Sequence, residues 1–370
     1  MVKISAAGRL RLGVSEARNE MTIVPMGAAG GRYDQSWWVR RARRPGVGSG
    51  LVDCRAERSV AHVTFIHGIS NKPDPATLLK QWRVALLDDD GIDLAALGVS
   101  SSMVYWADVL YSQPAPTGAA QESNALELEQ GLDEQATDLA WLLAAPSDER
   151  AFVARLAADV GLDSVVFGPG DRSDVIAPDS PLEAVPLPAP LKRRLMRVFL
   201  RDVHHYLFNA TFSPRPGETY QVRDEVRART VRGLREGADN RRPHVILCHS
   251  MGTVIGYDVL ADIAEFPAID ALITVGSPLG LSEVQAGLTP PWTAADGWPT
   301  ARLGDRYWAN VYDRLDPVCG LDPRIAHDYR WRGADRISDI EVSNSGSWRH
   351  GIAKYLGQPA LRNALQLALS

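Results

Sequence analysis

Apolar positions along this chain come in short β-branched blocks that alternate with longer stretches of helical spacing. Residues 59–66 (Ser-Val-Ala-His-Val-Thr-Phe-Ile) form a short apolar run that stops at His67-Gly68-Ile69-Ser70, the pattern of a buried strand closed by a turn. Helical spacing over 77–88 follows, and 102–108 reads as a second strand. After a long interruption the alternation resumes. A helix is predicted over about 218–237, a strand over 244–248, a helix over about 253–264 and a strand over 271–275. Further strands are predicted over 307–312 and 337–342, and a closing helix over 350–369. Strands alternating with helices predict a mostly parallel sheet with helices on both faces.

The interruption, residues 110–215, lacks strand signals. Leu128, Leu132, Ala136, Leu139 and Leu143 fall at helical spacing and predict one amphipathic helix. A second helix is predicted over 148–160. A third spans 191–208, with Leu195, Val198, Phe199, Val203, Tyr206 and Leu207 on its apolar side. The Pro- and Gly-rich stretch 169–190 reads as a loop. The block is therefore expected to be a helical insertion, a lid or cap over the carboxyl edge of the sheet. Its apolar side chains, together with Trp292 and Trp298, either pack the cap onto the core or line an acyl pocket. Residues 1–57, rich in Gly and Arg, are expected to form a loosely structured arm ahead of a domain spanning 58–370.

Composition narrows the picture by exclusion. The chain has 370 residues and a net charge of −5, which gives no bulk attraction to nucleic acid. No run approaches the ~18–20 apolar residues of a membrane span, and the N-terminus lacks the apolar core of a secretory signal. Cys54, Cys248 and Cys319 form no paired framework, as expected of reduced thiols in a cytoplasmic protein. His62, His67, His204, His205, His244 and His249 show no metal-ligand spacing, and no phosphate-cradling glycine loop appears. No metal and no cofactor are expected. The sequence is silent on oligomeric state.

Chemistry concentrates where the strand 244–248 ends. Cys248-His249-Ser250-Met251-Gly252 puts a serine, boxed by small residues, on a sharp strand-to-helix turn. There its hydroxyl is expected to be exposed and the amide of Met251 to face whatever the hydroxyl attacks. A serine needs an imidazole to take its proton and a carboxylate to orient that imidazole. Asp313 and Asp316 both follow the strand 307–312; Asp316 is favoured because Pro317 fixes its turn. For the imidazole, His350 stands between the last strand and the closing helix, with His327 as its rival. His249 adjoins the serine and is expected to point elsewhere. The His67-Gly68-Ile69 turn would supply a second amide, that of Ile69, beside Met251 for a developing oxyanion, each such donor being worth ~3 kcal/mol of barrier. Ser277, in a Gly-Ser-Pro turn, is a weaker nucleophile candidate. Cys248 would point into packing.

Cys248-His249-Ser250-Met251-Gly252, His67-Gly68, Asp316-Pro-Val and His350, in that chain order, resemble the α/β-hydrolase superfamily, most closely its serine esterase and lipase branch. The resemblance covers about 58–369. It implies a central sheet of about eight strands, a Ser250-Asp316-His350 triad and hydrolysis through an acyl-enzyme without metal or organic cofactor. The family turn usually opens with glycine where this chain has Cys248. The expected activity is cleavage of a small-molecule carboxylic (acyl or lipid) ester. Amide or peptide cleavage by the same residues, or a hydrolase-fold binding protein without turnover, are the alternatives.

Overall fold

The computed structural model describes residues 60–160, 187–238, 242–263, 268–289, 291–319, 322–346 and 348–370. All belong to the second of the two units into which the chain divides, Ala56–Ser370. The expected arm, 1–57, and most of the expected loop at 169–190 lie outside the described residues.

The described residues form eight strands: β1 (His62–Ile66), β2 (Ser100–Val104), β3 (Thr211–Phe212), β4 (Tyr220–Gln221), β5 (His244–His249), β6 (Ala271–Val275), β7 (Tyr307–Tyr312) and β8 (Ser338–Glu341). Six of them make one sheet in the order β2-β1-β5-β6-β7-β8. Every pairing in it is parallel. The protein is of the α/β class. The central sheet has six strands among the described residues, not about eight. β3 and β4 form a separate antiparallel pair inside the region read as purely helical; strands of two residues leave no period to detect.

The side-chain alternation of the strands sorts the core into two layers. Val63, Phe65, Val245, Leu247 and Ile273 face a cluster with Leu78, Trp82 and Leu86 of the helix Pro75–Leu87 and Tyr355, Leu361 and Leu365 near the C-terminus. Ile66, Ile246, Cys248 and Leu272 face a larger cluster that includes the helices Val222–Ala238 and Met251–Asp262 and the insertion. Each large apolar side chain so buried contributes about 2 kcal/mol.

The chain runs from β1 outward to β2, and then builds every later strand of this sheet on the other side of β1. The direction of strand addition therefore reverses between β1 and β5. In an open parallel sheet that reversal leaves a crevice at the carboxyl ends of the two strands. His67-Gly68 and Ser250 follow those two ends.

Several element boundaries differ from expectation for local reasons. The helix predicted through Leu128–Leu143 is three short pieces, Ala125–Gln130, Gln135–Thr137 and Ala140–Ala144. Gly131 ends the first. The Asp133 carboxylate then accepts from Gln135 N, and that of Asp138 from Ala140 N, so each acidic residue starts a new turn. Leu143 is consequently 80% exposed. The strand predicted at 102–108 ends at Val104, and the closing helix breaks at Gly357 into Ile352–Leu356 and Pro359–Leu369. The helix Ala189–Leu207 buries all six apolar residues expected of it. No helix of the described residues is long and apolar enough to cross a membrane.

Candidate functional site

Ser250 continues the β5 ladder for one residue, its amide donating to Val275 O at 2.9 Å, and a helix starts at Met251. The turn forces φ +55° and ψ −128° on Ser250, a region that L-residues seldom adopt and that costs ~1–3 kcal/mol. Gly252 makes the turn possible. A Cβ there would lie 2.5 Å from Ile66 O and 2.6 Å from His67 O. Met251, the first helical residue, has an amide with no acceptor within the helix.

The residue at 248 packs against the same helix. A Cβ on Gly256 would stand 2.7 Å from Cys248 Sγ. The Cys248 side chain is thus accommodated by a glycine on the helix that follows the turn. Burial pushes the Cys248 thiol up, and its sulfur faces this packing.

Opposite the turn, a Cβ on Gly68 would fall 2.6 Å from Ser250 Cβ and 3.2 Å from its Oγ. Gly68 thus lies directly over the hydroxyl. Ser250 is accordingly 0% exposed. The expectation of an open hydroxyl is corrected: it sits at a strand tip but under a cover, because the β1 turn approaches as closely as a glycine allows.

His67 does not face Ser250 as a base. Its Nδ1 donates to Gly68 O (2.8 Å), its Nε2 accepts from Trp106 N (3.0 Å), and its ring stacks on the Trp106 indole at 4.9 Å. Burial, reinforced by the Lys72 charge, lowers its pKa to about 3. His67 is a neutral strut that fixes the Gly68 carbonyl.

His350 Nδ1 stands 2.9 and 2.8 Å from the two oxygens of Asp316. Asp316 also accepts from Tyr355 OH (2.7 Å) and Val318 N (2.9 Å). Burial works to raise the Asp316 carboxyl; the charge and hydrogen bond of His350, with the bonds from Tyr355 and Val318, outweigh it and hold the carboxyl below its ordinary value. In the neutral imidazole with Nδ1 donating to the carboxylate, Nε2 is the nitrogen that carries the lone pair. That Nε2 and Ser250 Oγ are both buried and neither has a hydrogen-bond partner among the described residues. Their neighbours are linked. His249 Nε2 donates to His350 O at 2.9 Å, and the two rings lie 4.7 Å apart. A Cβ on Gly276, which follows Val275, would touch Asp316 Oδ2 at 3.0 Å and His350 Nδ1 at 3.2 Å.

The rivals are otherwise engaged. Asp313 accepts from Leu315 N and Asn344 N and pairs with Arg349, so it ties down the loop that leads to His350. His327 is half-exposed and faces Asp322 and Asp328. These three bring ligand-type atoms within 4.8 Å of one another, as exposed acidic groups often do. Ser277 bonds Thr253 Oγ1 at 2.7 Å and caps the next turn through Leu279 N. Residues missed in the sequence are Gly276 and Tyr355. A Gly directly after a strand and a buried aromatic hydroxyl early in the closing helix carry no signal without knowledge of what they touch.

The side chains proposed for an acyl pocket are mostly consumed by packing. Leu142, Phe199 and Leu207 are buried in the larger core cluster, and Trp298 is buried against Trp308. A small cavity of about 140 Å³, lined by Trp141, Arg201, His205 and Phe212 among others, lies within the insertion and is not bordered by Ser250 or His350.

No family model matches the sequence, and no curated protein matches it. Among solved structures the chain is similar to carboxyl esterase 2 from the fungus Tuber melanosporum, with 18% identity and a TM-score of 0.27 over 43% of this chain. It is also similar to an uncharacterized protein from Pseudomonas aeruginosa, with 11% identity and a TM-score of 0.29 over 84% of this chain. The chain spans 66% of the first protein's length and 46% of the second's.

Proposed function

We propose that this chain is a serine hydrolase of the α/β-hydrolase fold that cleaves carboxylic esters, with Ser250 as nucleophile, His350 as general base and Asp316 as its orienting carboxylate. The observation that carries this reading is a pair of buried atoms left without partners, Ser250 Oγ and His350 Nε2. Ser250 follows β5 at the strand-order reversal, and Asp316 already holds the far side of the His350 imidazole. Buried polar atoms are almost always paired. Two orphans that are complementary, one a donor and one an acceptor, are suited to meet when a substrate enters.

In the proposed reaction Ser250 Oγ attacks the ester carbonyl carbon as its proton passes to His350 Nε2. The amides of Met251 and Ile69 receive the oxyanion. Collapse expels the alcohol, which takes the proton from His350. Water, deprotonated by the same nitrogen, then releases the acid from the acyl-serine. The cover over Ser250 must yield for the carbonyl to enter. Residues 110–215 are proposed as the cap that supplies part of that cover, and two buried free thiols, Cys248 and Cys319, suit a cytoplasmic setting. Amide substrates would use the same atoms.

A fluorophosphonate probe tests the reading. It should label the wild-type chain and not Ser250→Ala, and p-nitrophenyl esters should turn over. Equal labelling of both, or no turnover of any ester, would overturn it.

A further inference from the structure

The segment that follows Gly68 is fastened almost entirely to the insertion. Asn71 N donates to Gly131 O (3.2 Å), Asn71 Nδ2 to Gln113 O (2.8 Å), and Ala115 N to Lys72 O (2.9 Å), while Lys72 pairs with the buried Glu122. Ser70, with φ +70°, is held differently: its amide donates to a carboxylate, Oδ2 of Asp202, at 3.1 Å. Asp202 lies 132 positions away on the helix Ala189–Leu207 and is 0% exposed.

Its two oxygens divide their partners. Oδ1 takes both Nε (3.0 Å) and Nη2 (2.8 Å) of Arg201, which neutralise its charge. Oδ2 takes Ser70 N and Tyr111 OH (2.8 Å). Packing the helix onto the core does not need a buried carboxylate; an apolar residue of similar volume would serve as well or better. What a carboxylate adds is a strong, directional acceptor for the Ser70 amide.

The consequence falls on Ile69. A trans peptide is planar, so fixing one of its polar groups fixes the other on the opposite side. His67 Nδ1 holds Gly68 O and thereby sets the Gly68–Ile69 plane, which contains the Ile69 N–H. Asp202 holds Ser70 N and sets the Ile69–Ser70 plane. Only the two backbone torsions of Ile69 join these planes, so the Asp202 bond supports the Ile69 N–H from the side that His67 does not hold.

We propose that Asp202 is a positioning residue that locks the peptide planes flanking Ile69, so that the Ile69 amide is available for the oxyanion and its carbonyl is kept from it. This rests on the hydrolase reading above. The relevant variants are Asp202→Ala, Asp202→Asn and Tyr111→Phe, each followed by p-nitrophenyl acetate kinetics, melting temperature and hydrogen–deuterium exchange of residues 66–71. Asp202→Ala should lower kcat about 10- to 100-fold, less than the 10²–10³ for outright loss of an oxyanion donor. KM should change less than about threefold, as for an interaction realised in the transition state. Exchange at 66–71 should quicken. Asp202→Asn, which keeps an oxygen for Ser70 N, should fall between Asp202→Ala and wild type, and serves if the alanine variant does not fold. Tyr111→Phe removes the other donor to the same oxygen and should leave both kcat and exchange near wild type.

The proposal is overturned if Asp202→Ala and Tyr111→Phe lower kcat equally, if the loss follows melting temperature across all three variants, or if exchange at 66–71 is unchanged. A wild-type chain that neither takes the probe nor turns over esters would remove the hydrolase reading, while the exchange comparison would still decide whether Asp202 holds the loop.

Discussion

His249 Nε2 donates a hydrogen bond to the backbone carbonyl of His350 at 2.9 Å. The neighbour of the proposed nucleophile thus holds the main chain of the proposed base, 101 positions downstream. His249 is fully buried, and burial first, then the charge of His350, lower its pKa well below the ordinary value. It is neutral, and since its partner is a carbonyl, the proton sits on Nε2. Its side chain reaches the loop that follows β8.

His249→Phe keeps the ring and removes the donor. The stranded carbonyl should cost about 1–3 kcal/mol of stability. A backbone shift at His350 should lower kcat on p-nitrophenyl acetate roughly 10-fold or more, since small misplacements of a reacting group are expensive. His249→Gln, which retains a donor, should recover part of the loss. If both variants turn over within about twofold of wild type, the bond does not position His350.

The turn, the strands and the order of Ser250, Asp316 and His350 were legible because each depends on local chemistry. β-Branched runs stop at glycine, Pro317 restricts Asp316, and the small residues Cys248 and Gly252 stand two positions to either side of the serine. What surrounds them was not. The choice of Asp316 over Asp313 depends on which carboxylate the loop 344–349 occupies, and nothing near position 313 announces Arg349 and Asn344 as its partners. The insertion illustrates the same limit. Leucines at helical spacing from 128 to 143 satisfy the period, yet Asp133 and Asp138 offer capping interactions that win over helix continuation. Ser250's burial depends on how closely the β1 turn approaches, which is a tertiary quantity.

Acid stability should report the neutral state of His67. Its folded pKa is about 3 against an ordinary 6.5. Between those values the unfolded chain binds a proton that the folded chain refuses. Stability is therefore fully present above about pH 6.5 and falls as pH drops toward 3, by about 1.4 kcal/mol per pH unit once below 6.5. From pH 7 to pH 5 the contribution of this one group is about 2 kcal/mol. His249 adds a loss of the same sign. His67→Asn cannot titrate. Whatever it costs at pH 7, urea unfolding should show a pH 7-to-5 difference smaller than wild type by about 2 kcal/mol. An unchanged difference would mean that His67 takes up its proton in the folded state.

The last prediction concerns Cys248, two positions before the proposed nucleophile. Cys248 Sγ occupies the space that a side chain on Gly256 would need, the Cβ-to-sulfur distance being 2.7 Å. Both positions are fully buried and neither can be relieved toward solvent. Gly256→Ala alone should therefore overpack the strand–helix contact and destabilise by about 1–3 kcal/mol, despite the ~0.5–1 kcal/mol that alanine normally adds in a helix interior. Cys248→Gly alone should also destabilise, through a void where the sulfur was. Together the two changes should restore packing, with a coupling of about 1 kcal/mol or more in a double-mutant cycle measured by denaturant unfolding. Such coupling would mean that the turn at Ser250 tolerates a cysteine at 248 because the helix after it carries no side chain at 256. Additive losses would instead place the tolerance elsewhere, in the neighbouring Ile66 side chain, which a Cβ on Gly256 would meet at 3.5 Å.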